Sequence, residues 1–256
     1  MPGSDYRKGN PAIELTDFAA HVHSRFNISR IEPWSKHFSS LDSTYLDQLR
    51  AAVAKAAAAI VNIAVDGDHS PYAADPAERS QAVTFGKLWV DVASRVGSPS
   101  IRVNIPTAKD SRPNLNRAAE SMQQLADYAS GKNVVVNLEP DNPVSEDPFF
   151  LAELLKKVNS PWLRALPDFA NILAHHDAGY AYRGIQALFR HAYCICHVKD
   201  AEENAHGTIV QADLRKTFAY LKQSGFKGFC SIEWDRPGDP YQGTAGLIDK
   251  TVQYLA

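Results

Sequence analysis

At 256 residues, with 45% hydrophobic and 22% charged side chains, the chain has the size of one α/β barrel domain and can bury a sizeable core. A formal net charge of −2 gives no general reason to bind nucleic acid or an anionic membrane. No apolar run approaches the roughly 18 residues of a spanning helix and no charged-then-apolar leader opens the chain, so the expected location is cytoplasmic.

The chain opens on MPGSDYRKGNPAIE, too rich in Gly, Pro and charge to make a good strand. LTDFAAHVHSRF then reads as a helix and ISRIEPW as a strand. TYLDQLRAAVAKAAAA is a helix followed by strand IVNIAVD. ERSQAVTFGKLWVDVASRVG is a long helix with Val83, Leu88, Val92 and Val96 on roughly one face, capped by Gly97. SIRVNIP, VVVNLEP, WLRALPD, CICHVKD and FCSIEWD are the remaining strands, separated by helices around Met122, Leu154, Ile185 and Phe218. TAGLIDKTVQYL closes the chain. Seven strands and eight helices in strict alternation predict a parallel α/β fold in one domain, 1–256. The expected architecture is a (β/α)₈ TIM-type barrel whose first strand, within residues 1–14, is degenerate or missing. Either residues near Asp5–Arg7 form a short irregular strand or the barrel is gapped, and a gap would leave edges that favour a homo-oligomer.

Four successive strands end on a potential metal ligand: Glu139, Asp168, His197 and Glu233, at spacings of 29, 29 and 36 residues. That is about one strand–helix unit each time, so a barrel would converge all four at the carboxyl ends of its strands, where such folds keep their active sites. An open sheet would spread them too widely to share one ion. Three carboxylates and one imidazole suit Mn²⁺ or Mg²⁺, with Co²⁺ or Zn²⁺ compatible. Taken singly, each has a plainer explanation: Glu139 could pair with an inward Arg102, Asp168 could start a turn, and His197 could be a hydrogen-bonded core histidine.

Strand parity points other polar residues inward: Arg30 with Glu32, Asn62 with Asp66, and Arg102 with Asn104. They either form an internal ionic layer or, for Glu32, Asn104 and Asn137, reach substrate hydroxyls or orient the ligands. Lys199 shares parity with His197 and could aim at a substrate oxygen or lie in a solvated loop. His206, after the seventh strand, is a candidate substrate contact. Trp34 and Trp234 could stack on a sugar or simply pack. Asp235, His69, His175 and His176 read as loop residues. The same parity turns Cys194, Cys196 and Cys230 toward the surrounding helices as small buried residues.

In RIEPW, SIRVN, NLEP, LPDFAN, HVKD and SIEWD, in that order, the chain resembles the sugar phosphate isomerase/epimerase group of xylose isomerase-like TIM barrels, from Leu15 to Leu255. The resemblance places the four metal ligands on Glu139, Asp168, His197 and Glu233. It also implies, from the ketose 3-epimerases, that Glu139 and Glu233 are the acid/base pair. Asn171 stands where those epimerases carry a histidine that contacts substrate. Endonuclease IV, in the same superfamily, needs many histidines that DAEENAHGT lacks, so no nucleic-acid partner is expected. The implied activity is metal-dependent isomerisation or epimerisation of a sugar or related polyhydroxy ketone through an enediolate. Loss of a β-hydroxyl on the same site would instead make a lyase of the inosose dehydratase kind. The damaged start of the fold would also suit a non-catalytic sugar-binding barrel.

Overall fold

Helices and short parallel strands alternate from Leu15 onward in the computed structural model, which describes residues 13–234 and 236–256. The opening strand sought near Asp5–Arg7, and Asp235, lie outside the described residues. The helices are α1 (Leu15–Phe26), α2 (Ser43–Lys55), α3 (Pro76–Val96), α4 (Leu115–Ser130), α5 (Pro148–Val158), α6 (Ala178–Phe189), α7 (Leu214–Ser224) and α8 (Pro240–Leu255). The strands are β1 (Arg30–Ile31), β2 (Ala59–Ile60), β3 (Ala64–Val65), β4 (Ser100–Val103), β5 (Val135–Leu138), β6 (Leu163–Ala165), β7 (Ile195–Val198), β8 (Ala201–Glu203), β9 (Ile209–Gln211) and β10 (Phe229–Ile232).

Aspartate starts most of these helices. Asp42, Asp75, Asp147, Asp177, Asp213 and Asp239 each accept a backbone N–H from the first helical turn, satisfying donors the helix itself cannot. Asp147 accepts from Phe149 and Phe150 N, both at 3.0 Å, and from the Tyr180 hydroxyl at 2.5 Å, so it also ties α5 to α6. Asp147→Ala is expected to cost about 1–2 kcal/mol and to lower the thermal midpoint by roughly 3–6 °C, read by a circular dichroism melt. An unchanged midpoint would show that neither tie matters.

The sheet runs in sequence order. β1 pairs with β2, β3 through β6 form a continuous parallel series, and β7 pairs with β10. Ala64 N donates to Pro33 O at 3.0 Å, and His197 N to Pro167 O at 3.0 Å, joining the three blocks. The strand expected over IVNIAVD is split into β2 and β3. The break surrounds Asn62, whose buried amide bonds Glu32 and Ser100 inside the barrel, while Ile63 turns its backbone to Ser100 and Arg102 of β4. Arg30 is exposed and bonds Ser29, not the interior, because it is the first residue of β1, at the amino end of the strand, away from the carboxyl end where Glu32 meets His197.

Two apolar clusters fill the space between strands and helices, one around α1–α5 and the other around Phe169, Ile185, Phe218 and Leu247. On α3 the buried stripe runs through Val83, Gly86, Trp89, Val90 and Ala93, with Leu88 45% exposed on the opposite side. Cys196 and Cys230 join the second cluster, their Sγ atoms 3.9 Å apart across β7 and β10. Cys194, which precedes β7 and escapes its alternation, packs instead with Val61, Leu166 and Ile195, and burial raises its thiol pKa to about 11. Among the described residues no helix is long and apolar enough to cross a membrane.

Candidate active site and metal centre

Glu139 follows β5, Asp168 follows β6, His197 lies in β7 and Glu233 follows β10. Asp168 is bridged directly to His197 across the strands, and one donor atom from each of the four lies within 4.8 Å of the others. The turn after Asp168 aims it: Oδ1 accepts from Ala170 N at 2.7 Å and Asn171 N at 2.5 Å. Its Oδ2 is buried without a hydrogen-bond partner. A buried carboxylate oxygen left bare is costly. Within a hard donor set of three carboxylates and one imidazole, it fits a divalent cation.

His197 is held from both sides. Its Nδ1 faces Glu139 Oε1 at 2.6 Å and Glu233 Oε2 at 3.0 Å, while Nε2 faces the two Glu32 oxygens at 3.1 and 3.0 Å. Glu32 Oε1 accepts from Asn62 Nδ2 at 2.6 Å, and Asn62 Oδ1 accepts from Ser100 Oγ at 2.6 Å and Asn137 Nδ2 at 3.3 Å. Below the cluster the barrel therefore holds a column of neutral amides and a hydroxyl, while the ionic pairing that parity suggests is made by Arg102 with Asp66 and Glu139 and by Glu32 with His197. Glu32 orients His197, a candidate ligand, from that column.

Two cations complete the network. Arg102 Nε sits 2.8 Å from Glu139 Oε2, and its Nη1 is 2.5 Å from Asp66 Oδ1, which Trp34 supports through Asp66 Oδ2 at 2.6 Å. Lys199 is buried, with Nζ 2.9 Å from Asn171 Oδ1, 2.5 Å from Glu202 Oε2 and 3.3 Å from Glu233 Oε1. Asn171 Nδ2 lies 3.5 Å from Glu139 Oε1.

Burial, reinforced by the Glu233 and Glu139 charges, pushes the Asp168 carboxyl up to about 8 against the opposing pull of Lys199 and His197. Burial also opposes a charge on His197, but Glu139, Glu32 and Glu233 together raise it well above the ordinary histidine value. Glu233 is held far below the usual carboxylate range, burial being overcome by Lys199 and His197. Glu32 is likewise lowered, its burial outweighed by the His197 charge and by hydrogen bonds from His197, Ser231 and Asn62.

A cavity of about 220 Å³ opens above Glu139, Glu233, Arg102, Lys199 and Asn171. Its outer wall includes Asp141, His175, Glu202 and Glu203. The segment DAEENAHGT is not a plain loop. It begins an antiparallel hairpin in which Ala201 pairs with Gln211 and Glu203 with Ile209, turning through Gly207 at φ 75°. The signal was an Asn-x-x-Gly turn beside the β-prone Ile-Val pair.

Other candidate contacts lie elsewhere. Asn104 accepts from Gly67 N at 2.8 Å and donates to Gly67 O at 3.1 Å, bracing the segment after β3 away from the cavity. His206 is exposed at the hairpin turn. Trp34 is engaged with Asp66, and Trp234 is buried against Gly243. His69 pairs with Glu78 at 3.0 Å, and His176 is stacked on Tyr180, so it is not simply solvated.

A family model described as "Xylose isomerase-like TIM barrel" matches residues 24–255. Among solved structures, a xylose isomerase domain protein from Planctomyces limnophilus is 22% identical, with 92% of this chain and 90% of that one covered at TM-score 0.71. A xylose isomerase-like TIM barrel protein from Mycobacterium smegmatis, in complex with magnesium, is 14% identical, with 94% and 87% covered at TM-score 0.70. D-psicose 3-epimerase from Clostridium cellulolyticum H10, crystallised with D-tagatose, is 13% identical, with 93% of each chain covered at TM-score 0.72. At these identities the likeness is one of fold. No curated protein matches the sequence.

Proposed function

This chain belongs to the xylose isomerase-like TIM barrel family, and from that premise we propose that it is a divalent-metal-dependent isomerase or epimerase of a sugar or related polyhydroxy ketone. The observation that carries this is the placement of Glu139 and Glu233 beside one imidazole nitrogen, each tied to its own cation. Glu139, Asp168, His197 and Glu233 would hold the ion, Mn²⁺ or Mg²⁺ by donor type, with Co²⁺ or Zn²⁺ compatible. When bound, it supplies stabilisation of the negative charge that develops on the substrate's carbonyl oxygen.

The chain's own groups do the rest. One of the two glutamates takes the proton α to the carbonyl, leaving an enediolate, and the other returns a proton. Return to the opposite face of the same carbon is epimerisation, and return to the neighbouring carbon is aldose–ketose isomerisation. Lys199 and His197 keep Glu233 ionised and so able to accept a proton. Arg102 fixes Glu139 through Oε2, leaving Oε1 turned to the site. Glu32 anchors His197 by Nε2 and so presents Nδ1. Asn171 and Lys199 border the cavity where substrate hydroxyls would sit.

The test is solvent-deuterium incorporation into a panel of ketoses, followed by NMR with Mn²⁺-loaded and metal-stripped protein. Deuterium at the carbon next to the carbonyl, dependent on metal, is expected. Absorbance from an unsaturated product would instead indicate a dehydratase. Sugars that raise the melting temperature without any exchange would leave a binding protein.

A further inference from the structure

Among the described residues, the cavity that would receive the substrate has no arginine or lysine to spare. Its wall bears five carboxylates, Glu139, Asp141, Glu202, Glu203 and Glu233, against two cations, Arg102 and Lys199. Arg102 is committed to Glu139 and Asp66, and Lys199 to Glu202, Glu233 and Asn171. The backbone donors that could cradle an anion are also claimed: Ala170 N and Asn171 N, entering the short helix Asn171–Ala174, both serve Asp168 Oδ1. Meanwhile the Asp141 and Glu203 side chains accept no hydrogen bond from any other described residue. They stand on two segments of the outer wall, one after β5, where burial and the Glu139 charge outweigh the pull of Arg102 and Lys199 on the Asp141 carboxyl, and one on the β8–β9 hairpin.

We infer that this pocket selects against anionic substrates: its ligand is a polyhydroxy ketone carrying neither phosphate nor carboxylate, and Asp141, Glu202 and Glu203 enforce that choice. The inference rests on the carbohydrate reading of the site and narrows it. Recognition of a phosphoryl group calls for arginine forks, free lysines or unpaired N–H groups, and the arginine and the lysine described on this wall already have acidic partners, which leaves the exposed His175 imidazole at its rim. A divalent ion on the inner four residues would be matched by their own carboxylates, leaving the outer wall acidic. Like charges brought together in a partly desolvated cavity are a strong source of discrimination.

Equilibrium binding of matched ligands to the Mn²⁺-loaded protein tests this independently of turnover. D-fructose, D-fructose 1-phosphate and D-fructose 6-phosphate serve as probes, with free metal held constant. Both phosphate esters are expected to bind at least ~30-fold more weakly than the free ketose at low ionic strength. The gap should narrow as salt screens the wall. Glu203→Lys on the exposed hairpin, and separately Asp141→Asn on the facing segment, should each shrink the ratio, the charge reversal by about tenfold or more. Equal or tighter binding of either ester overturns the inference while leaving a carbohydrate site. A ratio unmoved by both variants and by salt overturns the assignment to these carboxylates. Binding of none of the three overturns the carbohydrate reading itself.

Discussion

Glu233→Gln, loaded with Mn²⁺, is expected to exchange substrate protons with solvent about 10²–10⁴-fold more slowly than the parent protein. The substitution keeps the shape of the side chain and an oxygen that can face Lys199, which lies 3.3 Å from Glu233 Oε1. It removes the one property that acid–base work needs, a carboxylate able to take up and release a proton. It also withdraws a negative charge from beside His197, where Oε2 lies 3.0 Å from Nδ1, so metal affinity should fall in parallel. Metal titration at each step therefore has to accompany the rate, and the loss must persist at saturating ion. Glu139→Gln should show a comparable loss, because two carboxylates flank the reacting carbon in this mechanism. Exchange within about threefold of the parent protein in both variants would remove these glutamates from the acid–base role.

Metal binding should become much tighter as pH rises from 6 to 8. In the metal-free site Asp168, raised to about 8, and His197, raised well above its ordinary value, both carry protons in that range. A cation held by the same atoms must displace them, so affinity should climb about tenfold per pH unit for each proton released. Calorimetry in buffers of different ionisation enthalpy counts those protons, with one to two expected and none sinking the prediction. The sign for stability follows from the same shifts. Asp168 and His197 titrate higher in the folded than in the unfolded chain, so their contribution is full below the unfolded values and is lost as pH rises through the folded ones. The stripped protein should thus lose melting temperature as pH climbs toward about 8, where the Asp168 contribution is exhausted, and added Mn²⁺ should restore more of it there than at pH 6. Glu32 and Glu233, both lowered, work the other way: their contribution is present above the ordinary glutamate value and fades as pH falls below it.

Much of the framework was legible because it is written in repeated short patterns. Each of Glu139, Asp168, His197 and Glu233 ends an apolar run at a regular interval, and regular intervals survive uncertainty in any single boundary. The helices were found by periodicity, although α3 and α8 begin earlier than their apolar pattern because Asp75-Pro76 and Asp239-Pro240 start them. What parity could not supply was the identity of the partner. Asn104 has the inward spacing of Arg102 but is captured by the Gly67 backbone, and Arg30 is exposed at the amino end of its strand. Lys199 could be assigned to neither substrate nor solvent, since Glu202 sits in a hairpin whose strands are only three residues long.

The tie between Glu32 and His197 joins residues 165 positions apart in the chain. All four candidate ligands come from the second half, whereas the groups that aim His197 and Glu139, namely Glu32 with Asn62 behind it and Arg102, come from the first. A fragment cut from about residue 130 onward would keep every donor atom for the ion and lose the scaffolding that steers the imidazole and one glutamate. On the proposed reading, activity therefore needs both halves of the chain, and separately expressed halves should regain it only when mixed.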